Sequence, residues 1–337
     1  MIKYLGSKRL LLPLISEAIG SLPNVRSVID LFSGTARVGH QLKQDGYQVF
    51  SNDLNTYAAT LARCYVQADL EDHVADLEPI LEFLNALPGK EGYFTETFCK
   101  ASRFFQPKNG ARIDAMREWL ELQSFDDERR AILLTALMEA ADRVDSTTGL
   151  QMAYLKSWAP RAHKDIELRM PKMVSRAKHG KGAVVQLDAQ EAARKLTADV
   201  AYLDPPYNQH KYLGNYHIWE SLVRWDKPDV YGVACKRIDV RERKSPFNRK
   251  REIHQAMKSI LSDLDVRHLV VSFSDEGYLS KKELVELLEQ RGAVQVLETD
   301  YKRYVGAQIG VHNPAGKKVG KVSHLRNREY LFVVSSQ

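Results

Sequence analysis

The sequence predicts an α/β fold whose mostly parallel β-sheet ends in an antiparallel hairpin and carries a helical insertion. Three observations predict it: β-rich runs alternate with helical segments in the first third of the chain, a helix-rich stretch follows, and β-rich runs return towards the end. Short β–α–β connections imply parallel, buried strands. We expect residues 1–55 and 181–337 to form one α/β domain, and residues 56–180 to form a mainly helical insertion.

The predicted elements before the insertion form a β–α–β unit. Residues 26–32 are a β-rich run, and residues 47–51 are the next one. Residues 35–45 between them have helical spacing, and Gly46 follows where a helix commonly ends in a left-handed glycine. A further helix is expected to start at Asn55.

The predicted elements after the insertion complete the sheet. Strands are expected at 183–187, 199–203, 268–273 and 293–298, with a helix at 281–290. Residues 303–310 and 329–334 flank Asn313-Pro314-Ala315-Gly316, a sequence typical of a turn, and are therefore predicted to pair as a hairpin.

The composition is that of an ordinary globular protein, with 44% hydrophobic and 27% charged residues in 337. No apolar run reaches the roughly 18–20 residues that a membrane-spanning helix needs, and the first residues do not have the pattern of a signal peptide. The three cysteines and ten histidines show no metal-ligand spacing. We therefore expect a cytoplasmic protein that binds neither a membrane nor a metal.

Positive charge is concentrated in two segments. Residues 236–251 hold eight Lys or Arg against two acidic residues, and residues 301–328 hold seven and no acid. Such clusters are typical of surfaces that follow a phosphate backbone, although a merely solvated loop is the alternative. The residues predicted to contact DNA are Lys236, Arg237, Arg241, Arg243, Lys244 and Arg249.

A glycine-containing junction follows the first predicted strand. The run Asp30-Leu31-Phe32-Ser33-Gly34 places a glycine at the strand end, directly before a helix N-terminus. Glycine lets a ligand approach the backbone, and the helix N-terminus offers free N–H groups. Asp53 ends the second strand, where an acid can accept hydrogen bonds from a ribose diol. This layout predicts a nucleoside site, while a tight turn without a ligand would explain the glycine alone.

A second motif, Asp204-Pro205-Pro206-Tyr207, follows the apolar strand at 199–203. The Asp204 carboxylate and the Pro205 carbonyl can accept both hydrogens of an amino group on an aromatic ring, which frees the nitrogen lone pair to attack. Tyr207 can stack on the base, an interaction worth about 1–3 kcal/mol. The four residues are therefore predicted to be catalytic, against the alternative of a rigid turn with a packed tyrosine.

These motifs, in this order, resemble the amino-methyltransferases, and among them the Dam-like adenine-N6 DNA methyltransferases of the alpha group. The resemblance covers nearly the whole chain. One departure is Ala36, which stands where the family usually has a second glycine. The segments that carry the resemblance are Tyr4-Leu5-Gly6-Ser7-Lys8, Asp30 to Gly34 with Asp53, Val185 to Asp188, and Asp204 to Tyr207.

The resemblance implies a Rossmann-like methyltransferase fold with a seven-stranded sheet. It also implies S-adenosylmethionine as the methyl donor, with S-adenosylhomocysteine as the product. The insertion would help to recognise the target DNA, and Tyr304 would pack against the flipped adenine or in the core. The implied cofactor contacts are Tyr4, Lys8, Asp30, Phe32, Gly34, Asp53, Asp188 and Asp204.

The expected function is site-specific methylation of adenine N6 in double-stranded DNA, within a restriction-modification system or by a solitary methylase. The base must be flipped out, because N6 is inaccessible while it is stacked and paired. We expect a monomer or weak dimer, with a cognate restriction endonuclease as a partner in the first case.

Four alternatives to this function stay open at the level of sequence. One is methylation of RNA adenine or guanine, and another is methylation of cytosine N4, although cytosine enzymes more often carry serine in place of Asp204. A third is a DNA-binding protein of this fold without activity. A nicotinamide dehydrogenase is the fourth, disfavoured because the turn lacks G-x-G-x-x-G.

Overall fold

The computed structural model describes residues 1–302 and 326–335 and is organised around one seven-stranded sheet. A separate ribbon of two short strands, β5 and β6, lies outside that sheet. In chain order the strands are β1 (Ser27–Asp30), β2 (Gln48–Asn52), β3 (Ala183–Val185), β4 (Val200–Leu203), β5 (Val230–Tyr231), β6 (Lys236–Arg237), β7 (His268–Ser274), β8 (Ala293–Lys302) and β9 (Arg326–Ser335).

The strand order in the main sheet is β3-β2-β1-β4-β7-β9-β8. The first five strands are parallel, and β9 runs antiparallel to both of its neighbours. This arrangement confirms the predicted fold class. The chain adds β2 and β3 on one side of β1 and then crosses to add β4 and β7 on the other. Open α/β sheets bind their ligands outside the carboxyl ends of the strands at such a reversal.

Helices cover both faces of the sheet. The predicted helices at 35–45 and 281–290 are confirmed as α2 and α12, and Gly46 follows α2 at φ +97°. The described helices are α1 (Leu12–Gly20), α2 (Arg37–Gln44), α3 (Thr56–Ala62), α4 (Leu70–Ala86), α5 (Tyr93–Thr95), α6 (Pro107–Glu121), α7 (Asp127–Arg143), α8 (Ala189–Lys195), α9 (Tyr212–Asn215), α10 (His217–Arg224), α11 (Ile253–Asp263) and α12 (Lys281–Leu288).

Two hydrophobic clusters flank the sheet, one on each face. Along β1, Val28 belongs to one cluster and Ile29 to the other, because successive side chains of a strand point to opposite faces. Helices α1 to α7 and α10 contribute to the first cluster, and α8, α11 and α12 to the second. Strands buried on both faces explain the nearly continuous apolar runs of β1 and β4.

The segment 56–180 connects β2 to β3. Its helices α3 to α7 reach Arg143, and the residues from there to Gly182 contain one short 3₁₀-helix, Pro160–His163. Apolar residues of these helices share the hydrophobic cluster of the adjoining sheet face. The division of the chain into a catalytic domain and an insertion therefore stays a prediction.

The antiparallel end of the sheet differs in detail from the sequence-based expectation. Residues 329–334 pair with residues 294–299 of β8, a strand that extends to Lys302. The predicted hairpin strand at 303–310, Tyr304, and the basic residues at 303 and from 317 to 321 lie outside the described residues.

Two further expectations concern the cysteines and the membrane. Cys64, Cys99 and Cys235 are buried free thiols. Among the helices described in 1–302, none combines the length and the apolar character needed to cross a membrane.

Candidate active site

A cavity of about 400 Å³ lies at the carboxyl ends of β1, β2 and β4. All eight residues predicted to contact the cofactor line it. Its volume falls within the roughly 300–1,000 Å³ of sites for small molecules. The sheet thus brings together side chains from five separate parts of the sequence: Tyr4 and Lys8, Asp30 to Gly34, Asp53, Asp188, and Asp204.

The turn after β1 forms the floor of the cavity. Gly34 has φ +52°, and a Cβ added there would come within 3.3 Å of the Tyr4 ring. Ala36, the N-cap of α2, also has a left-handed backbone, with φ +58°. That conformation explains why glycine is usual at the position of Ala36, because a side chain there costs about 1–2 kcal/mol.

Two carboxylates, the buried Asp30 and the half-buried Asp53, organise this turn. Asp30 accepts a hydrogen bond from the N–H of Gly39 at 3.1 Å, and Asp53 accepts one from the N–H of Gly34 at 3.0 Å. Asp53 also accepts from the N–H of Asn55 at 2.9 Å. The carboxylates therefore hold the loops by their backbone, and Asp53 lies beside the glycine turn. Its role at a ribose stays a prediction.

The ionisation of both carboxyl groups is shifted by burial. Burial raises the pKa of Asp30 to about 7, and repulsion from Asp204 adds to the rise. Burial raises the pKa of Asp53 to about 6, although its backbone hydrogen bonds oppose the shift. Both groups therefore titrate close to neutral pH.

Asn52 is a site residue that sequence reasoning missed. Its amide donates to the carbonyl of Leu31 at 3.1 Å and accepts from the N–H of Leu187 at 3.0 Å. It thus joins the ends of β1 and β3 across β2 and lines the cavity. Its position directly before the ribose acid is the signal that could have identified it.

Asp188 and Phe32 lie on the far wall of the cavity. Asp188 is exposed, and its carboxylate caps α8 by accepting from the N–H of Gln190 at 2.9 Å. Phe32 packs edge-on against Phe247, with ring centroids 5.2 Å apart. Apolar and polar side chains thus both line this part of the cavity.

The N-terminal segment closes one side through an aromatic stack. The Tyr4 ring stacks on Tyr216 at 4.6 Å and on Tyr212 at 5.2 Å between centroids. Its hydroxyl lies 3.3 Å from that of Tyr57. Tyr57 and Tyr216 were not predicted, because no local pattern shows that residues so far apart in sequence meet.

The residues after β4 meet the end of the N-terminal segment. Lys8 is buried, and its ammonium Nζ lies 3.1 Å from Asp204 Oδ1 and 3.3 Å from Glu329 Oε2. Asp204 lines the cavity, and its side chain is 21% exposed. The predicted catalytic aspartate therefore reaches the cavity while it is held by an ion pair.

The other residues of the tetrapeptide are placed in different ways. Pro206 lines the cavity and Pro205 is buried. The half-buried ring of Tyr207 packs against Phe273 at 5.3 Å, and the Lys8 ammonium lies 5.9 Å from its centroid. Tyr207 lies next to the cavity but is not part of its lining.

Two arginines of the basic segment make interior contacts. Arg237 is 1% exposed and forms a bidentate ion pair with Asp226, with both N–O distances at 2.7 Å. Arg243 lines the cavity, where it donates to the buried Glu220 and to the carbonyl of Leu54, each at 3.1 Å. The sequence pattern did not separate these arginines from the exposed ones.

The other predicted DNA contacts are more accessible. Arg241, Lys244 and Arg249 are exposed, and Lys236 is half-buried. Lys244 lies at the rim of the cavity. The basic segment therefore passes over the cavity and presents several cations to solvent.

The lining fits S-adenosylmethionine. The hydroxyl of Ser33 is buried there without a hydrogen-bond partner in the described structure, and Gly34 leaves room beside the backbone. Carboxylates suit the ribose diol and a cationic sulfonium, and the phenylalanines suit an adenine ring. Within residues 1–302 and 326–335, no three His, Cys, Asp or Glu side chains cluster as metal ligands would.

Comparisons with known proteins agree with this geometry. The type II methyltransferase M.NlaIII of Neisseria lactamica is 28% identical over 97% of this chain and 99% of its own length. M.CviAII of Paramecium bursaria Chlorella virus 1 is 30% identical over 99% of this chain and 98% of its own. M.FokI of Planomicrobium okeanokoites is 30% identical over 90% of this chain, which spans about half (49%) of that protein.

A solved structure and a family model complete the comparisons. The solved structure is an S-adenosylmethionine-dependent methyltransferase from Agrobacterium tumefaciens, which covers 99% of this chain and 64% of its own with a TM-score of 0.37 and 10% identity. The model of the D12 class N6 adenine-specific DNA methyltransferases matches residues 4–287. The chain belongs to this family of DNA methyltransferases.

Proposed function

We propose that this protein transfers a methyl group to N6 of an adenine flipped out of double-stranded DNA. The observation that carries the proposal is the position of Asp204, which follows β4, lines the cavity and is paired with Lys8 at 3.1 Å. The family supplies the class of substrate, and the proposal adds the role of each residue.

The proposed chemistry places the target amino group at Asp204. S-adenosylmethionine, when bound, supplies a methyl group from its sulfonium sulfur. The Asp204 carboxylate and the Pro205 carbonyl accept hydrogen bonds from the two N6 hydrogens, so the lone pair localises on nitrogen. As the new N–C bond forms, the bond from the methyl carbon to sulfur breaks and S-adenosylhomocysteine is the leaving group. N6 gains positive charge, which the carboxylate stabilises until a proton passes to water. Holding the reacting groups in position is itself a large part of the rate.

Other residues of the cavity hold the cofactor in this proposal. Asp53 accepts from the ribose hydroxyls and Asp188 from the adenine amino group, while Gly34 lets the ligand approach the backbone. Tyr4 limits the cavity on the side of the N-terminal segment. Tyr207 has its ring beside the cavity and offers it to the target base for stacking.

The proposed DNA surface is the exposed part of the basic segment. Arg241, Lys244 and Arg249 are exposed there. Arg237 is left out, because its guanidinium is buried and paired with Asp226. Binding through phosphates implies that affinity falls steeply as salt rises.

Several predictions about context remain. Relatives named type II methyltransferases support a place in a restriction-modification system, and so a cognate endonuclease as a partner. The helical insertion as the DNA-reading region, the monomer or weak dimer and the cytoplasmic location stay predictions.

The test of the proposed function is Asp204→Ala. We expect transfer of tritiated methyl groups from labelled cofactor to DNA to fall by at least about 100-fold, with DNA affinity in a mobility-shift assay retained. Asp265→Ala, an exposed aspartate before β7 at the opposite edge of the sheet, is the matched control and should keep full activity.

The product identifies the methylated base. Nucleoside analysis by mass spectrometry should show N6-methyladenine in duplex DNA. Near-normal activity of Asp204→Ala, or methylation of cytosine or RNA instead, would refute the assignment.

A further inference from the structure

Glu329 is a buried acid that belongs to no motif of the sequence. It lies on β9, opposite Ser274 in the pairing of β9 with β7, and is 9% exposed. Its Oε2 lies 3.3 Å from Lys8 Nζ, while Asp204 Oδ1 lies 3.1 Å from the same atom. One buried cation is therefore shared by two carboxylates, of which only Asp204 lines the cavity.

The sharing has an electrostatic consequence. In a desolvated site, the interaction of a lysine with a carboxylate is strong. A second carboxylate at a similar distance draws the ammonium towards itself and reduces its hold on the first. Since the described part of the chain offers Asp204 no other polar side-chain partner within hydrogen-bond distance, the state of its carboxylate depends on where Lys8 lies.

Lys8 and Glu329 lie in backbone elements of different kinds. Lys8 itself begins a three-residue 3₁₀-helix, Lys8–Leu10. Glu329 is fixed by its place in β9, which pairs with strands on both sides. The carboxylate that shares the ammonium with Asp204 is therefore carried by a strand that is paired on both sides.

We propose that Glu329 is a positioning residue for methyl transfer: it shares the Lys8 ammonium with Asp204, so that the Asp204 carboxylate is only partly neutralised and remains a strong acceptor for the N6 hydrogens. This inference rests on the proposed role of Asp204. It concerns a residue that acts through Lys8 and touches neither the base nor the cofactor.

The ionisation of the cluster agrees with this arrangement. Burial raises the pKa of Asp204, and Lys8 opposes the rise. Burial also raises the pKa of Glu329, which Lys8 lowers and Asp204 raises further. For Lys8, burial lowers the pKa, but the two carboxylates outweigh it and the pKa is raised. The other titratable groups that face this cluster are Asp30, Tyr202, Tyr207, Tyr212, Asp275 and Glu276.

The test is the pH profile of Glu329→Gln, measured as single-turnover methyl transfer at saturating cofactor and DNA. At saturating cofactor, titration of the acids that bind the cofactor no longer changes the measured rate through cofactor affinity. Glutamine keeps the size of the side chain and a hydrogen-bond acceptor but removes the charge. Lys8 then pairs more tightly with Asp204, which lowers the pKa of Asp204 and weakens it as an acceptor. We expect the acid limb of the pH–rate profile to move to lower pH by about one unit. We expect the rate on the plateau of that profile to fall by about tenfold.

A matched control and a charge-preserving variant complete the design. Glu298→Gln makes the same change in β8 at a surface ion pair with Lys281, and its profile should equal that of the wild type. Glu329→Asp keeps the charge on a side chain one carbon shorter. We expect the acid limb of its pH–rate profile to lie close to that of the wild type, and its rate to fall between the rates of the wild type and Glu329→Gln. This variant keeps the test decisive if Glu329→Gln proves too unstable to assay.

The outcomes separate the inference from the proposed function. An unchanged acid limb in Glu329→Gln overturns the inference even if the rate falls, because a merely structural role would lower the rate alone. Identical profiles for Glu329→Asp and Glu329→Gln also overturn it. If Asp204→Ala retains activity, the proposed function itself fails, whatever Glu329 does.

Discussion

The two halves of the active site are built in different ways. At the ends of β1 and β2, the carboxylates of Asp30 and Asp53 are held by backbone N–H groups of Gly39, Gly34 and Asn55. At the end of β4, the Asp204 carboxylate is held by a lysine that it shares with another acid. One half is fixed by the main chain and the other by charges from three distant segments.

This difference matches the two tasks. A binding site gains from rigid donors and acceptors, since pre-organisation reduces the cost of ordering a ligand. In the proposed role of Asp204, a carboxylate that accepts from a reacting amino group must not be fully neutralised, and an ammonium shared with a second acid meets that need. The comparison predicts that substitutions at the β2 end change binding, while those at the β4 end change the rate.

The strongest test of the comparison is Asp53→Asn. The amide loses the charge and presents an N–H group towards the donors of Gly34 or Asn55, so both the turn and the ribose lose an acceptor. We expect cofactor affinity, measured by calorimetric titration, to fall by about 10- to 100-fold, with the single-turnover rate at saturation within about threefold of the wild type. The control is Asp199→Asn, an aspartate that accepts from the N–H groups of Arg26 and Ser27 at the opposite edge. A large loss of rate at saturation, with affinity intact, would contradict the division.

A smaller effect is expected from pH. The pKa of Asp30 is raised from 3.8 to about 7 and that of Asp53 from 3.8 to about 6. Their contribution to stability is therefore fully present below pH 3.8 and is lost as the pH rises through those values. A cationic ligand with hydroxyl donors favours the ionised carboxylates, so its affinity should rise by about tenfold between pH 5.5 and 8.

The measurement for this pH effect is calorimetric titration with S-adenosylmethionine in buffers of different ionisation enthalpy. It should detect proton release at pH 6 that is absent at pH 8. Asp53→Asn should reduce the dependence. If the affinity does not change over this pH range, the ionisation of Asp30 and Asp53 is not coupled to ligand binding.

The smallest effect is expected at Ala36, whose φ of +58° is unfavourable for any residue with a Cβ. Ala36→Gly relieves that strain but adds flexibility to the unfolded chain and removes a buried methyl group. The opposing terms leave a change of less than about 1 kcal/mol in the free energy of unfolding, measured by urea denaturation. Cofactor affinity should stay within about twofold, because the turn already has the required shape. Destabilisation by several kcal/mol would mean that the methyl group supports the turn by packing.

Local signals in the sequence predicted the strands of the sheet and the part of the cavity formed by Asp30 to Gly34, Asp53 and Asp204. Tyr4, Lys8 and Asp188 were identified through the family resemblance. Asp53 and Asp204 each follow a short apolar strand, and parallel strands bring such ends to one edge. Asn52 was missed because its role depends on the order of three strands. Glu329 was missed because nothing near it in sequence indicates Lys8, although a lone acid at the start of the apolar run Y-L-F-V-V is itself unusual.

In the basic segment, the sequence pattern was too coarse to predict which cations are exposed. Charge density predicted a surface, yet Arg237 is buried against Asp226, and Arg243 is used inside the cavity. Composition cannot distinguish a cation that pairs with an acid eleven residues away from one that meets solvent, because the pairing depends on how β5 and β6 fold back.

The Tyr4 ring contacts both halves of the site, the β1–β2 end and the β4 end. It lies against Gly34 at the end of β1 and stacks on Tyr212 and Tyr216, which follow the tetrapeptide Asp204 to Tyr207. A bulkier residue at position 34 would push this ring into its neighbours, and a smaller one at 212 would give it space to retreat. The free-energy costs of these two substitutions would therefore not be additive. The substitution at 212 would offset part of the cost of the one at 34.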